Sequence, residues 1–122
     1  MIAPASIEVF CRRAARAVHK HPDIHMVNRF AQGRRHLAEL HEHSIEVTVW
    51  ARCVSEHRFV DLLELQMLLE RSVADRVISF GTCSFEQMCQ FFYKQFGPEH
   101  RICRVSVEAD RIEGAILEWT IP

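Results

Sequence analysis

The stretch HEHSIEVTVWARCV, residues 41–54, decides the fold class of this chain. From Ser44 to Val54 every second residue is apolar, with polar or bulky side chains between. That period of two is typical of a β-strand with one buried face. If the strand extends back through Glu42, His41 and His43 share the phase of the apolar residues. Both imidazoles then point to the buried face, one pleat apart.

After this strand the apolar pattern changes to the period of a helix. Leu62, Leu65, Leu69 and Val73 are spaced as one stripe of an amphipathic helix, which we predict over Val60 to Val73. A second helix follows, with large apolar side chains on one side. These are Phe85, Met88, Phe92 and Phe96.

Both predicted helices carry start signals. Asp61 and Glu64 have the spacing of a capping box, and Ser84 and Gln87 repeat that spacing at the second helix. Gly97-Pro98 is a stop signal for the second helix.

The last third predicts a β-hairpin, because residues 105–110 alternate and a short turn containing Gly114 leads into Ala115 to Trp119. In the first third, Ile7 to Cys11 reads as a strand, whereas Arg12 to Val18 could also be helical by propensity. We favour a strand there. The resulting order, β-β-α-α-β-β with both helices on one face of an antiparallel sheet, is an α+β fold.

The composition excludes several classes of protein. The chain has 122 residues, of which 48% are hydrophobic, and we expect one domain over residues 1–122. The chain has fifteen basic and sixteen acidic residues and no long basic run, so it lacks the concentrated positive charge of a nucleic-acid binder. We see no signal peptide and no membrane-spanning stretch, and we expect a cytoplasmic protein. The five cysteines form no CxxC pair and lie in apolar segments, as reduced core residues do.

His41-Glu42-His43 is the segment with the most distinctive chemistry. Two imidazoles at i and i+2 on one strand face can share a tetrahedral ion, and a third protein ligand would leave one position open for catalysis. The pair alone is a weak signal, because the chain has eight histidines. Exposed histidines at a strand edge are the alternative interpretation.

Three segments resemble motifs of one enzyme family. Leu40 to Val47 is similar to a His-Gly-His segment that opens a strand, and Phe59 to Leu62 with Leu65 is similar to the start of the family's first helix. Cys83 to Gln87 resembles the Pro-Thr-x-Glu-Asn that opens its second helix. The order and spacing also agree. From Leu40 to Trp119 the chain resembles the 6-pyruvoyl-tetrahydropterin and 6-carboxytetrahydropterin synthases.

The resemblance implies the tunnelling fold, a bound zinc ion and a small-molecule pterin ligand. It implies His41 and His43 as two zinc ligands and His19 as the third, with His25 as the alternative. It also implies a homo-oligomer, a trimer or a hexamer. From charge and hydropathy we expect no nucleic-acid or membrane partner.

The chain departs from the family at its acid–base residues. The family has a catalytic cysteine shortly before the His-Gly-His segment, but no cysteine lies between Cys11 and Cys53. A family histidine between the helices is also replaced, in Ala74-Asp75-Arg76. We therefore expect Glu39 or His36 to move the proton.

Two glutamates are the candidates for binding the substrate. Glu108 lies near the position where the family holds the pterin ring with a carboxylate, although it is one residue out of phase. Glu86, at the start of the second helix, is the other candidate, or else a favourable charge at the helix dipole.

Two functions remain open at this point. The resemblance implies a zinc-dependent lyase or aldolase acting on 7,8-dihydroneopterin triphosphate or dihydroneopterin. The missing cysteine and histidine suggest the alternative, an inactive module that binds a pterin or purine or serves assembly.

Overall fold

A computed structural model describes residues 7–21, 29, 39–53, 58–74 and 76–121, without the side chains of residues 58–61. Within these ranges, five strands and two α-helices build one sheet with helices packed against it. The elements are β1 (Glu8–His19), β2 (His41–Arg52), α1 (Arg58–Val73), β3 (Val77–Gly81), α2 (Phe85–Tyr93), the short 3₁₀ helix Pro98–His100, β4 (Ile102–Ala109) and β5 (Glu113–Glu118).

The sheet has the strand order β3-β1-β2-β4-β5. β1 and β2 pair antiparallel along their whole lengths, from Glu8 opposite Arg52 to His19 opposite His41. β2–β4 and β4–β5 are also antiparallel. The α+β class and the four predicted strands are confirmed. β1 runs from Glu8 to His19, so the segment Arg12 to Val18, which could also have been helical, is part of a strand.

The prediction missed β3, which lies between the helices and pairs parallel to β1. The sheet is therefore mixed rather than wholly antiparallel. β3 spans only five residues, and only Ile78 and Phe80 in it are buried. Two apolar residues are too few for the period-two pattern to be distinguished from a connecting segment.

Both helices cover the same face of the sheet. Their buried side chains join the inward-facing residues of β1, β2 and β4 in a single core, which is the expected arrangement for amphipathic helices on an antiparallel sheet. The fully buried members include Val47, Val49, Leu69, Met88, Phe92, Val105 and Val107. Phe96 belongs to this core and Phe91 packs against it.

The opposite face of the sheet carries charged pairs beside the rings of Phe10 and Trp50. Arg12 pairs with Glu46, Arg16 with Glu42, and Arg104 with Glu118. Arg104 also lies over the ring of Trp50. Exposed pairs of this kind stabilise a fold only slightly, so this face contributes to solubility and strand register more than to the free energy of folding.

The helix starts agree with the sequence at α2 and differ at α1. Ser84 caps α2, and the reciprocal bonds with Gln87 complete the capping box. α1 begins at Arg58, so Asp61 lies inside the helix and is not its cap. The predicted hairpin turn is also displaced: Gly114 lies in β5, and the chain reverses at Asp110 and Arg111.

The five cysteines form no disulfide. Cys11, Cys89 and Cys103 are buried, and burial raises the pKa of each thiol to about 11. Cys53 and Cys83 are half-buried, and Cys83 packs against the core. Among the described residues, no helix has the length and hydrophobicity that a membrane crossing requires.

Candidate metal centre

His19, His41 and His43 meet at one end of the sheet. His19 is the last residue of β1 and lies opposite His41, while His43 lies opposite Ala17, so strand register alone brings the rings to one face. The ring centroids are 4.7 Å apart for His19–His41, 4.9 Å for His19–His43 and 4.7 Å for His41–His43. One ligand atom from each residue lies within 4.8 Å of those of the other two.

Each of the three imidazoles uses Nδ1 to contact an oxygen atom. The partners are the carbonyl of Cys83 for His19 at 2.9 Å, the carbonyl of Glu39 for His41 at 2.9 Å, and Oδ2 of Asp110 for His43 at 2.8 Å.

Carbonyl and carboxylate oxygens only accept hydrogen bonds, so Nδ1 carries the hydrogen in every ring. A neutral imidazole of that tautomer has its lone pair on Nε2. The Nε2 atom of each ring therefore carries no hydrogen and is able to bind a metal. Metal-binding histidines are commonly oriented in this way, by a hydrogen bond from the other ring nitrogen to an oxygen atom.

Burial favours the neutral form of His19. It lowers the pKa of this imidazole below the ordinary 6.5, and the neighbouring His41 and His43 lower it further. The hydrogen bond to Cys83 and the charge of Glu113 act in the opposite direction, but burial is the largest effect. A histidine that stays unprotonated near neutral pH is in the form that a metal requires.

The cluster lines a pocket of about 460 Å³. Phe85, at the start of α2, forms an apolar wall beside two of the rings, 5.3 Å from His19 and 5.8 Å from His43 between ring centroids. The other lining residues are Lys20, His21, His41, Thr82, Cys83, Ser84, Glu86, Gln87 and Glu113. A pocket of this size accommodates a small ligand with two fused rings.

The two predicted substrate-binding glutamates differ in whether they line this pocket. Glu86 lines the pocket. Glu108 does not line it. In the sheet it lies opposite Glu46 on β2 and Gly114 on β5. Its side chain is exposed and contributes, with Arg111, to a separate surface pocket.

The phase of Glu108 is the reason for its position. Its neighbour Ala109 faces the core with 0% exposure, so Glu108 points to the other side of the sheet.

Of the two predicted proton carriers, the structure describes only Glu39. Glu39 is exposed, is not among the lining residues, and approaches the cluster through its main-chain carbonyl. His36 and the alternative ligand His25 lie outside the described residues.

Three residues near the cluster were not predicted for the site. They are Cys83, Asp110 and Glu113. Ligand atoms of His43, Asp110 and Glu113 also lie within 4.8 Å of one another, and Glu113 lines the pocket. Their positions depend on the turn between β4 and β5 and on the segment before α2. No residue pattern in the sequence signals those conformations.

Comparisons with known proteins support the fold relationship. No family model matches the chain, and no curated protein sequence matches it significantly. Among solved structures, the chain is similar to 6-pyruvoyl tetrahydropterin synthase from Caenorhabditis elegans, with 13% identity and a TM-score of 0.66. The match covers 98% of this chain and 100% of that one. The chain therefore has the tunnelling fold of the 6-pyruvoyl tetrahydropterin synthases.

Proposed function

We propose that this chain is a zinc-dependent enzyme that acts on the side chain of a pterin, as a lyase or aldolase on dihydroneopterin triphosphate or dihydroneopterin. The observation that carries the proposal is the triangle of His19, His41 and His43, each with Nδ1 held by a fixed oxygen, beside a pocket on a tunnelling fold.

The residues present suit a zinc ion. Three neutral imidazoles are a ligand set typical of catalytic zinc, which keeps one position for water or substrate. Imidazole ligands also bind copper and nickel, so the choice of zinc rests on the resemblance to the tunnelling-fold enzymes. A zinc ion bound there would supply Lewis acidity toward an oxygen of the substrate side chain.

Glu86 is our candidate for holding the pterin ring. The pyrimidine edge of a pterin presents two adjacent N–H donors, its 2-amino group and N3–H, and a carboxylate can accept both. Glu86 lines the pocket and is acidic in the first turn of α2. An acidic side chain in the first turn of a helix also interacts favourably with the helix dipole.

We assign proton transfer to Glu113. Its carboxylate lines the pocket and lies beside His43 and Asp110, whereas Glu39 is not among the lining residues. A carboxylate at this position can take a proton from a substrate bound against the histidine cluster. Cys83, which also lines the pocket, is the second candidate for this step.

We also infer that the chain assembles into a homo-oligomer, either a trimer or a hexamer. β3 and β5 are the two edges of the sheet, and each carries exposed apolar side chains, Val77 on β3 and Ile116 on β5. Unpaired edges of this kind are sites where strands from other copies add. Light scattering that shows only monomer at micromolar concentration would contradict this inference.

The experiment that tests the function begins with metal content. Inductively coupled plasma mass spectrometry on the full chain should find about one zinc per subunit, as expected for a single catalytic site. The double variant His41→Ala/His43→Ala should lose the zinc. His100→Gln, at a histidine outside the pocket, is the matched control and should keep it.

Turnover is then measured with both candidate substrates by chromatography and mass spectrometry. The zinc-loaded protein should convert at least one of them, and Glu113→Gln should reduce kcat by at least ~100-fold if Glu113 is the base. Binding of neopterin without conversion of either substrate would instead support the inactive module. Absence of both zinc and pterin binding would overturn the proposal.

A further inference from the structure

The turn between β4 and β5 has an unfavourable sequence for its conformation. Ile112 N donates to Ala109 O at 3.2 Å, and the two residues between have positive φ, 55° at Asp110 and 62° at Arg111. Turns with positive φ at both central residues favour Gly, Asn and Asp at those positions. Asp tolerates the left-handed region, but a long side chain such as Arg is disfavoured there.

This turn carries Asp110 to the metal cluster. Asp110 N donates to Ser44 O at 3.2 Å, which fixes the turn against the start of β2. From that position Oδ2 of Asp110 accepts from Nδ1 of His43 at 2.8 Å. The imidazole of His43 is buried while the carboxylate is half exposed, at 9% and 48% of their side-chain areas.

Asp110 differs from the other two oxygen partners of the cluster. His19 and His41 donate to main-chain carbonyls, whereas His43 donates to a side chain that carries a negative charge. A charged acceptor forms a stronger hydrogen bond and makes the opposite ring nitrogen a better donor to a metal.

We propose that Asp110 is a positioning residue that fixes the Nδ1–H tautomer of His43 and strengthens Nε2 as a ligand for a divalent transition-metal ion. The turn, with positive φ at both Asp110 and Arg111, holds the carboxylate beside His43. The inference rests on the proposed metal site and names the residue that sets its affinity.

Three single substitutions separate this role from a structural one. Asp110→Asn keeps a residue that suits the turn and can still accept from Nδ1, but it removes the charge. Asp110→Gly also suits the turn and removes the acceptor. Arg111→Gly relieves the unfavourable φ and leaves the carboxylate unchanged.

The first readout is the Kd for zinc of the full chain, measured by competition with a chromophoric chelator at one fixed pH. We expect Kd to rise about 10-fold in Asp110→Asn and up to about 100-fold in Asp110→Gly, in the range seen for outer partners of metal ligands. Arg111→Gly should keep the original Kd, and its Tm should rise by a few degrees.

The second readout needs no metal. Long-range ¹H–¹⁵N correlation spectra of the chelator-treated protein report which nitrogen of His43 carries the hydrogen. We expect the Nδ1–H tautomer in the unmodified protein and in Arg111→Gly, and a mixture of tautomers in Asp110→Gly.

The outcomes are distinguishable. An unmodified protein that binds no zinc would overturn both the metal site and this inference. Zinc binding that is equally tight in the unmodified protein and both Asp110 variants would overturn this inference alone. A loss of affinity in Asp110→Gly accompanied by an equal loss in Arg111→Gly would also overturn it, because the turn rather than the carboxylate would then be responsible.

Discussion

The imidazole of His19 donates from Nδ1 to the carbonyl oxygen of Cys83 at 2.9 Å, across 64 residues of sequence. This bond joins the end of β1 to the residue just before the cap of α2. The orientation of one candidate ligand is therefore coupled to the start of a helix.

The cap of α2 should contribute both to stability and to the metal site. Ser84 Oγ accepts from Gln87 N at 3.2 Å, and Ser84→Ala removes that bond. We expect the free energy of unfolding to fall by about 1 kcal/mol, measured by urea denaturation. Because Cys83 adjoins the cap, zinc affinity should fall as well. Thr82→Ala, just outside the capping box, is the control, and an equal effect there would contradict this explanation.

Gly114 is required by the close approach of two strands. A Cβ atom at this position would lie 2.1 Å from Val107 O and 2.8 Å from Glu108 Cα, both of which belong to the main chain. Gly114→Ala should cost about 1–3 kcal/mol, because backbone must move to relieve the overlap.

Gly97→Ala is the matched control for that substitution. There the three atoms nearest to the added Cβ all belong to the side-chain carboxyl group of Glu99, which can swing away. Thermal denaturation that shows equal losses for the two alanine variants would refute the steric argument.

Stability of the metal-free protein should decrease as the pH is lowered below about 6.5. Burial lowers the pKa of His19, so in this range the unfolded chain binds a proton that the folded chain resists. The free energy of unfolding therefore decreases as the pH is lowered from the ordinary pKa to the lowered one. His19→Gln should flatten this part of the profile in chelator-treated protein, and His100→Gln should not. A profile unchanged by His19→Gln would show that other groups cause the dependence.

The two leucines Leu69 and Leu63 offer a test of the core on one helix. Leu69 is 0% exposed and Leu63 is 49% exposed, although both lie on α1. Leu69→Ala should cost about 2–5 kcal/mol because it leaves a cavity. Leu63→Ala should stay within about 0.5 kcal/mol, as surface substitutions do. Denaturant midpoints would give the comparison, and similar losses would mean that α1 packs differently.

The sequence predicted those parts of the fold that depend on local periodicity. β2 and the β4–β5 hairpin alternate over enough residues to be recognised, and α2 carries a complete capping box. β3 was missed because it is short and is stabilised by pairing with β1, a partner about sixty residues away along the chain.

In the candidate site, too, the residues that follow from local strand pattern were predicted and the others were not. His41 and His43 follow from strand phase, and His19 joins them through antiparallel register. Asp110 and Glu113 were not predicted, because the positive φ values at Asp110 and Arg111 contradict local preference. Glu108, which the sequence already placed one residue out of phase, lies outside the pocket. Its neighbour Ala109 takes the inward position.

The parallel pairing of β3 with β1 has a consequence for the order of folding. His19 lies opposite Gly81 at the end of that pairing, and Lys20 N donates to Gly81 O at 2.8 Å. Contacts between distant segments form slowly because they close long loops, whereas the β4–β5 hairpin can form early. In a refolding experiment, we therefore expect the capacity to capture zinc to develop with the slowest phase, after most of the sheet has already formed.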